Sequence, residues 1–95
     1  MEFEYDPHKS AANLLKHGID FEEAKELWNK PVVTIPSTSD VEEPRWLVIG
    51  SIHGEPCTAI TADRNPITRI ISVRRSRKAE RQLYEKTYKN YSEGT

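Results

Sequence analysis

With one cysteine among its 95 residues, Cys57, the chain can form no internal disulfide. Cys57 sits in a strand-like run, Cys57 to Ala62, with no basic group beside it, so a buried, unreactive thiol is expected rather than a nucleophile. There is no run of about 18 apolar residues, which excludes a membrane-spanning helix. The first nine residues are acidic and lack an apolar stretch, so no secretory leader is read there and a cytoplasmic location is expected. Gly18, Gly50, Gly54 and Gly94 are too scattered for a phosphate-cradling loop. His8, His17 and His53 lack paired ligand spacing, and no serine nucleophile elbow is present, so neither a metal nor another cofactor is expected. Without repeats, low-complexity tracts or a linker, residues 1–95 read as a single domain. A chain of this size buries roughly 65% of its unfolded surface.

Charge is plentiful but unevenly spread. Residues 1–44 hold four Lys/Arg against ten Asp/Glu, and residues 45–95 hold ten against five, giving −6 and +5 behind a total of −1. Seven of the fourteen basic residues lie between Arg64 and Arg81, with Glu80 as the sole acid. A concentrated positive face on a near-neutral chain points to a local anionic partner, RNA phosphate or an acidic protein surface.

The punctuation of the chain predicts its elements. Asp6 before Pro7 is an N-cap with proline at the first helical position, and Gly18 is a C-cap with Lys16 and His17 in the last turn. Between them Ala11, Leu14 and Leu15 predict an apolar helix face. Asp20 and Glu23 form a capping box for a second helix, whose stripe is Phe21, Ala24, Leu27 and Trp28 and which Pro31 stops. The period then changes to two. Val32 to Ile35, Trp46 to Ile52, Cys57 to Ala62 and Ile67 to Val73 read as strands, the last three an antiparallel meander. Ser37 to Pro44 reads as a polar loop. From Ser76, taken as N-cap, a final helix is expected, with Ala79 and Leu83 on one side and Tyr84, Tyr88 and Tyr91 on another, and a frayed tail after it. If Glu2 to Tyr5 adds a first strand the order is β-α-α-β-β-β-β-α, an α+β fold with an antiparallel sheet, two N-terminal helices and a C-terminal helix.

The candidate chemistry lies in the last strand and helix. Strict alternation puts Ile70, Ser72 and Arg74 on one face and Arg69, Ile71 and Val73 on the other. Glu80 and Tyr84 are i, i+4 neighbours close to Arg77 and Arg81. Packing of this helix against the sheet is expected to bring Arg64 and Arg74 together with Glu80 and Tyr84 in a shallow cleft. Such a set suits RNA cleavage without metal. The ribose 2′-hydroxyl is an internal nucleophile, arginine neutralises the phosphorane, and Glu, His or Tyr moves the protons. Blander readings stand beside this one. A basic strand and helix are ordinarily solvated, and Glu80 then only pairs with Arg77 or Arg81. The tyrosines then pack the helix, and Trp28 is core. Trp46 is more often a sheet anchor than a base-stacking platform, and His17 more often a capping cation than a base.

Three segments carry a family resemblance. They are Glu4-Tyr5-Asp6-Pro7 with Lys9, Asn13 through Ile19, Phe21, Glu23 and Ala24; Arg45 with Ile49-Gly50; and Arg69 through Arg74 with Glu80, Arg81 and Tyr84. In this order they resemble the BrnT toxins of bacterial type II toxin–antitoxin systems. The resemblance implies a compact RelE/ParE-like fold, ribonuclease activity that inhibits translation, and a cognate antitoxin. That antitoxin carries a ribbon-helix-helix DNA-binding domain, through which alone the complex reaches operator DNA. Val73 and Ser76 stand where the family often has alanine, and Tyr5 where tryptophan is frequent.

The expected function is therefore a metal-independent endoribonuclease toxin. Arg64 and Arg74 are the candidates for transition-state charge, Glu80 the first candidate base, with His17 and Tyr84 as alternates. Lys16, Arg69, Arg75, Arg77, Arg81 and Trp46 are candidate RNA contacts. The antitoxin is expected to cover the positive face. A non-catalytic, antitoxin- or nucleic-acid-binding co-repressor module would show the same pattern, as would a toxin of this fold acting on a protein target such as gyrase.

Overall fold

The computed structural model describes residues 1–37 and 43–93, with side chains through Tyr88. Its elements are β1 (Glu2–Glu4), α1 (Pro7–His17), α2 (Phe21–Ala24) continued by a 3₁₀ turn (Lys25–Asn29), β2 (Val33–Pro36), β3 (Arg45–Ile52), β4 (Glu55–Arg64), β5 (Ile67–Arg75) and α3 (Lys78–Glu93). The order is the expected one. Most of the predicted loop Ser37 to Pro44, the side chain of Tyr91 and the last two residues of the tail lie outside the described residues.

Local chemistry sets the boundaries. The Asp6 carboxylate accepts from the His8 N–H, Pro7 opens α1, and Gly18 closes it in the left-handed region at φ 75°. The Asp20 carboxylate accepts from the Glu23 N–H at 2.8 Å. His53 and Gly54, both at positive φ, turn β3 into β4.

The five strands form one sheet in the order β1-β5-β4-β3-β2. β2 through β5 pair antiparallel, as the short connections require. β1 departs from the antiparallel expectation. Its chain reaches β5 only after α1 and three strands, and it joins parallel, Glu4 opposite Arg69. The sheet is therefore mixed.

One face of the sheet makes the core. Val48, Ile52, Cys57, Ala59, Ile70 and Val73 meet Ile19, Phe21, Ala24 and Leu27 from the N-terminal helices. The stripe predicted for the second helix is thus correct, with Trp28 half-buried against Phe3. Cys57 is buried, and burial pushes its thiol up. Gly50 sits in a close approach here: a Cβ would stand 3.0 Å from Leu27 Cδ2 and 3.1 Å from Val32 Cγ1, so those side chains would have to shift to admit one.

Strict alternation fails in β5. Ile60 pairs with Ser72 and Thr61 with Ile70, so Ile71 is an extra residue in a bulge. Ile70 and Val73, three apart, consequently share the core face.

The first helix is inverted relative to its expected apolar face, while the last packs through its tyrosines, the more ordinary of the two readings of that stripe. Ser10 and Asn13 are the buried residues of α1, while Ala11, Leu14 and Leu15 face out. In α3 the inward residues are Glu80, Tyr84 and Tyr88, and Ala79 and Leu83 are exposed. The reason is the polar backbone they must satisfy. β1 pairs β5 only as far as Arg69, which leaves the edge open at Val73. There the Asn13 amide donates to the Val73 carbonyl at 2.8 Å and accepts from the Val73 N–H at 3.3 Å, and donates to the Ile19 carbonyl at 2.7 Å. It serves β5 as one residue of an adjoining strand would, and covers an edge that would otherwise pair with another chain. The Ser10 hydroxyl accepts from the Phe21 N–H. Tyr88 donates to the Val32 carbonyl at 2.7 Å, holding α3 over β2.

Candidate active site

The face opposite the core carries Ile49, Thr58, Ile60, Ala62, Ser72 and Arg74, the alternate residues of β3, β4 and β5. α3 covers the end of this face where Ile49 and Thr58 are fully buried. The rest is floored by half-buried Leu47, Ile60 and Ser72 and lies open there, with Ala62 fully buried between Arg45 and Arg69 at its far end.

Arg74 stands at the wall between the covered and open parts. Its Nη1 and Nη2 donate to the two oxygens of Glu80 at 2.7 and 2.9 Å, a bidentate fork, and Nη1 also donates to the Arg75 carbonyl. The side chains of Arg74 and Glu80 are 16% and 10% exposed, so the pair is shielded from solvent. Glu80 Oε1 also accepts from the Arg77 N–H at 2.8 Å and from the buried Thr58 hydroxyl at 3.0 Å. The Arg74 guanidinium, with these donors, holds the Glu80 carboxyl down at about 2 against the cost of burial. The same pairing raises Arg74 above the ordinary arginine value.

Two expectations change. Ser76 is not the N-cap, because its hydroxyl meets Thr58 Oγ1 at 2.9 Å; Arg77 takes that position, and Glu80, at N3, reaches back to its N–H as in a capping box. Glu80 is also unsuited to the role of base. A carboxylate of pKa about 2 with both oxygens engaged has little affinity for a ribose proton.

The expected convergence of Arg64 with Arg74 does not occur. Arg74 pairs with Thr58 and Arg64 with Ile67, so six residues of β4 separate them, about 20 Å along the strand. Arg64 instead joins Glu43 at 3.1 Å and Glu4 at 3.5 Å, and Arg69 meets Glu4 at 3.7 Å. Arg64, Arg69 and Arg45 thus stand at the far end of the open face, with Arg74 at the α3 end. Among the described residues Arg45 Nε is buried without a hydrogen-bond partner.

The remaining candidates scatter. Arg77 and Arg81 are exposed on α3. The Tyr84 hydroxyl lies 3.5 Å from the Pro31 carbonyl, and its ring packs on Tyr88 at 4.8 Å. Arg75 pairs with Glu55 at the exposed end of β5, opposite Cys57 and so on the core-side face. Trp46 also belongs to that face, where with Trp28, Val48 and Thr61 it lines a cavity of about 340 Å³, away from Arg74. Lys16 and His17 end α1 beside the β5 edge, Lys16 exposed and His17 half-buried. Sequence reasoning missed Thr58, Glu4 and Glu43. A threonine inside the apolar run Cys57 to Ala62 was the available sign for the first; the other two depend on pairings between distant segments.

No helix among the described residues is long and apolar enough to cross a membrane. A search of curated proteins finds no match. Residues 5–80, from Tyr5 to the Glu80 that holds Arg74, match the family model described as the ribonuclease toxin BrnT of type II toxin–antitoxin systems. The chain belongs to the BrnT family of ribonuclease toxins, whose members act within a toxin–antitoxin pair.

Proposed function

We propose that this protein is a metal-independent endoribonuclease that binds single-stranded RNA across the open sheet face. The observation that carries the reading is the Arg74 fork, fixed by Glu80 at the wall of that face. A guanidinium has five N–H donors. Three Arg74 bonds run to Glu80 and the Arg75 carbonyl, so donors remain for a phosphate oxygen.

In the proposed step the 2′-oxygen attacks the adjacent phosphorus and the bond to the 5′-oxygen breaks. The 2′-hydroxyl proton passes to a base, and the leaving oxygen takes up a proton. The ends are a 2′,3′-cyclic phosphate and a 5′-hydroxyl. Arg74 neutralises the phosphorane, and Arg69 and Arg64 hold the flanking backbone, with Arg45, Arg77 and Arg81 nearby. Glu80 acts as a positioning residue for Arg74. Tyr84, one helical turn from Glu80, is the first candidate for proton transfer and His17 the second. Lys16, Arg75 and Trp46 lie away from this face, and RNA contacts there would need a longer path for the strand.

The element order and five-stranded sheet support a RelE-like fold, and we take the cytoplasm as its place of action. The family supports an antitoxin partner, for which we adopt the ribbon-helix-helix type, with operator DNA reached through it alone. Incubating the purified protein with RNA and a chelator tests the proposal. Discrete cuts ending in cyclic phosphate are expected. Intact RNA would favour the co-repressor module, a reading to which the pairing of Arg64 and Arg69 with Glu4 lends some weight.

A further inference from the structure

Both tryptophans of the chain, Trp28 and Trp46, wall the cavity of about 340 Å³ on the core-side face of the sheet. Trp28 is fixed there by Phe3, whose ring lies 4.8 Å away. Thr34, Thr61, Thr68 and Asp63 supply the polar part of the lining. Strand pairing sets them side by side, Trp46 opposite Thr61 and Asp63 opposite Thr68. Thr61 is 3% exposed, and no hydrogen bond among the described residues takes up its hydroxyl. A buried hydroxyl left free on the wall of a cavity this size marks a place for a ligand atom. The Asp63 carboxylate accepts from the Asn65 N–H through Oδ1 at 3.1 Å, and among the described residues Oδ2 has no partner. No Lys, Arg or His among the described residues lines the cavity, so it offers a phosphate nothing to hold.

We infer that this cavity takes a guanine base, an inference that rests on the RNA-binding reading above. Aromatic walls stack a planar ring, and unstacked bases are read along their hydrogen-bonding edges. Guanine presents two adjacent N–H donors on one edge, a match for the two oxygens of a carboxylate. Adenine and cytosine set an acceptor beside the donor on that edge, and uracil flanks its N–H with two acceptors, so they match Asp63 less well. The place agrees with the path of the strand. Asp63 and Arg64 end β4 before the two-residue turn Asn65 and Pro66, Asp63 on the cavity side and Arg64 on the open face. A backbone that leaves the open face at Arg64 crosses this turn and brings the next base to Asp63.

The tryptophans make the cavity its own fluorescent reporter. Short uridine oligomers with 2′-O-methyl groups, which block the internal nucleophile, are titrated with and without one central guanosine. The guanosine oligomer should bind about tenfold tighter and change the emission, the scale of one bidentate base contact. Asp63→Asn keeps an acceptor for the Asn65 N–H, and should lose the preference at an unchanged urea midpoint. Trp46→Phe should keep the preference, and Trp46→Ala should weaken guanosine binding about tenfold. Guanosine monophosphate separates the sources. Binding as tight as the oligomer's assigns the cavity to a free nucleotide, and weaker binding assigns it to a base of the strand. Equal affinity of the wild type for the two oligomers would overturn the proposal, as would a preference that persists in Asp63→Asn. A guanosine-blind toxin whose hold on its antitoxin weakens in Asp63→Asn would give the cavity to a basic side chain of that partner instead. Cleavage of unmodified RNA is scored separately. Cutting without a guanosine preference sinks this inference alone, and a guanosine preference without cutting sinks the ribonuclease reading alone.

Discussion

Arg74 grips Glu80 through both of its terminal nitrogens, and the carboxylate it grips also fastens the first turn of α3 to β4 through Thr58. One carboxylate thus holds both the helix and the guanidinium assigned to transition-state charge. Arg74→Ala is expected to lower RNA cleavage by on the order of 10² or more and to relieve growth arrest on expression. Arg74→Lys keeps the charge but loses the fork, and should fall well below wild type. Single-turnover cleavage rates check both, and wild-type cleavage by Arg74→Ala would refute the assignment.

The pH dependence of stability follows from Glu80. Its folded pKa, about 2, lies below the unfolded carboxylate value, so its contribution is fully present above about pH 5. It drains away as pH falls through that window towards 2, on the order of 3 kcal/mol in all. Urea unfolding of wild type and Glu80→Gln between pH 6 and 3 should show the variant less stable at neutrality, with the difference shrinking in acid. A constant difference would argue that the loss is one of packing alone.

At the far end of the open face, Glu4 lies within reach of both Arg64 and Arg69. Removing either arginine should reduce the slope of log affinity for single-stranded RNA against log salt by about one. Glu4→Gln should act in the opposite direction, tightening RNA binding roughly twofold to fivefold by freeing Arg69 from its carboxylate, while Arg64 keeps its pair with Glu43. Weaker binding by Glu4→Gln would mean that Glu4 holds the arginines in place.

Asn13→Ala should destabilise the chain by about 3 kcal/mol, because it leaves backbone groups of Val73 and Ile19 without partners. Leu15→Ala on the same helix should change stability by less than about 0.5 kcal/mol. An ordinary amphipathic helix would show the reverse ranking. Denaturant midpoints of the two variants decide it.

Gly50→Ala tests the close approach of β3 to the 3₁₀ turn. The added methyl meets Leu27 and Val32 at about the limit of contact, and overpacking of this kind costs roughly 1–3 kcal/mol. A neutral substitution would show that this part of the core yields.

What could be read in the sequence was local. Asp6, Pro7, Gly18 and Asp20 mark helix ends through bonds to residues a few places away, and they placed α1 and α2 closely. The strands after Pro31 followed for the same reason. The inward face of α1 was misread because the partner of Asn13 is sixty residues distant, and a leucine pattern carries no record of that carbonyl. The grouping of Ile70, Ser72 and Arg74 failed at a bulge, which one inserted residue produces without any glycine to mark it. Arg74 with Glu80 was legible because the two lie six positions apart around a strand-to-helix turn. Arg64 was misplaced because the register of β4 against β5, and not proximity in the chain, fixes where its guanidinium stands.

The open edge of β5 has a consequence for how the molecule is made. The first strand and the first helix both dock onto a segment that leaves the ribosome some sixty residues behind them. Until residues 67–75 emerge, Glu2–Glu4 have no strand to join and Asn13 has only the nearby Ile19 carbonyl. The N-terminal strand and helix therefore complete their packing only once β5 has been made, late in the synthesis of the chain.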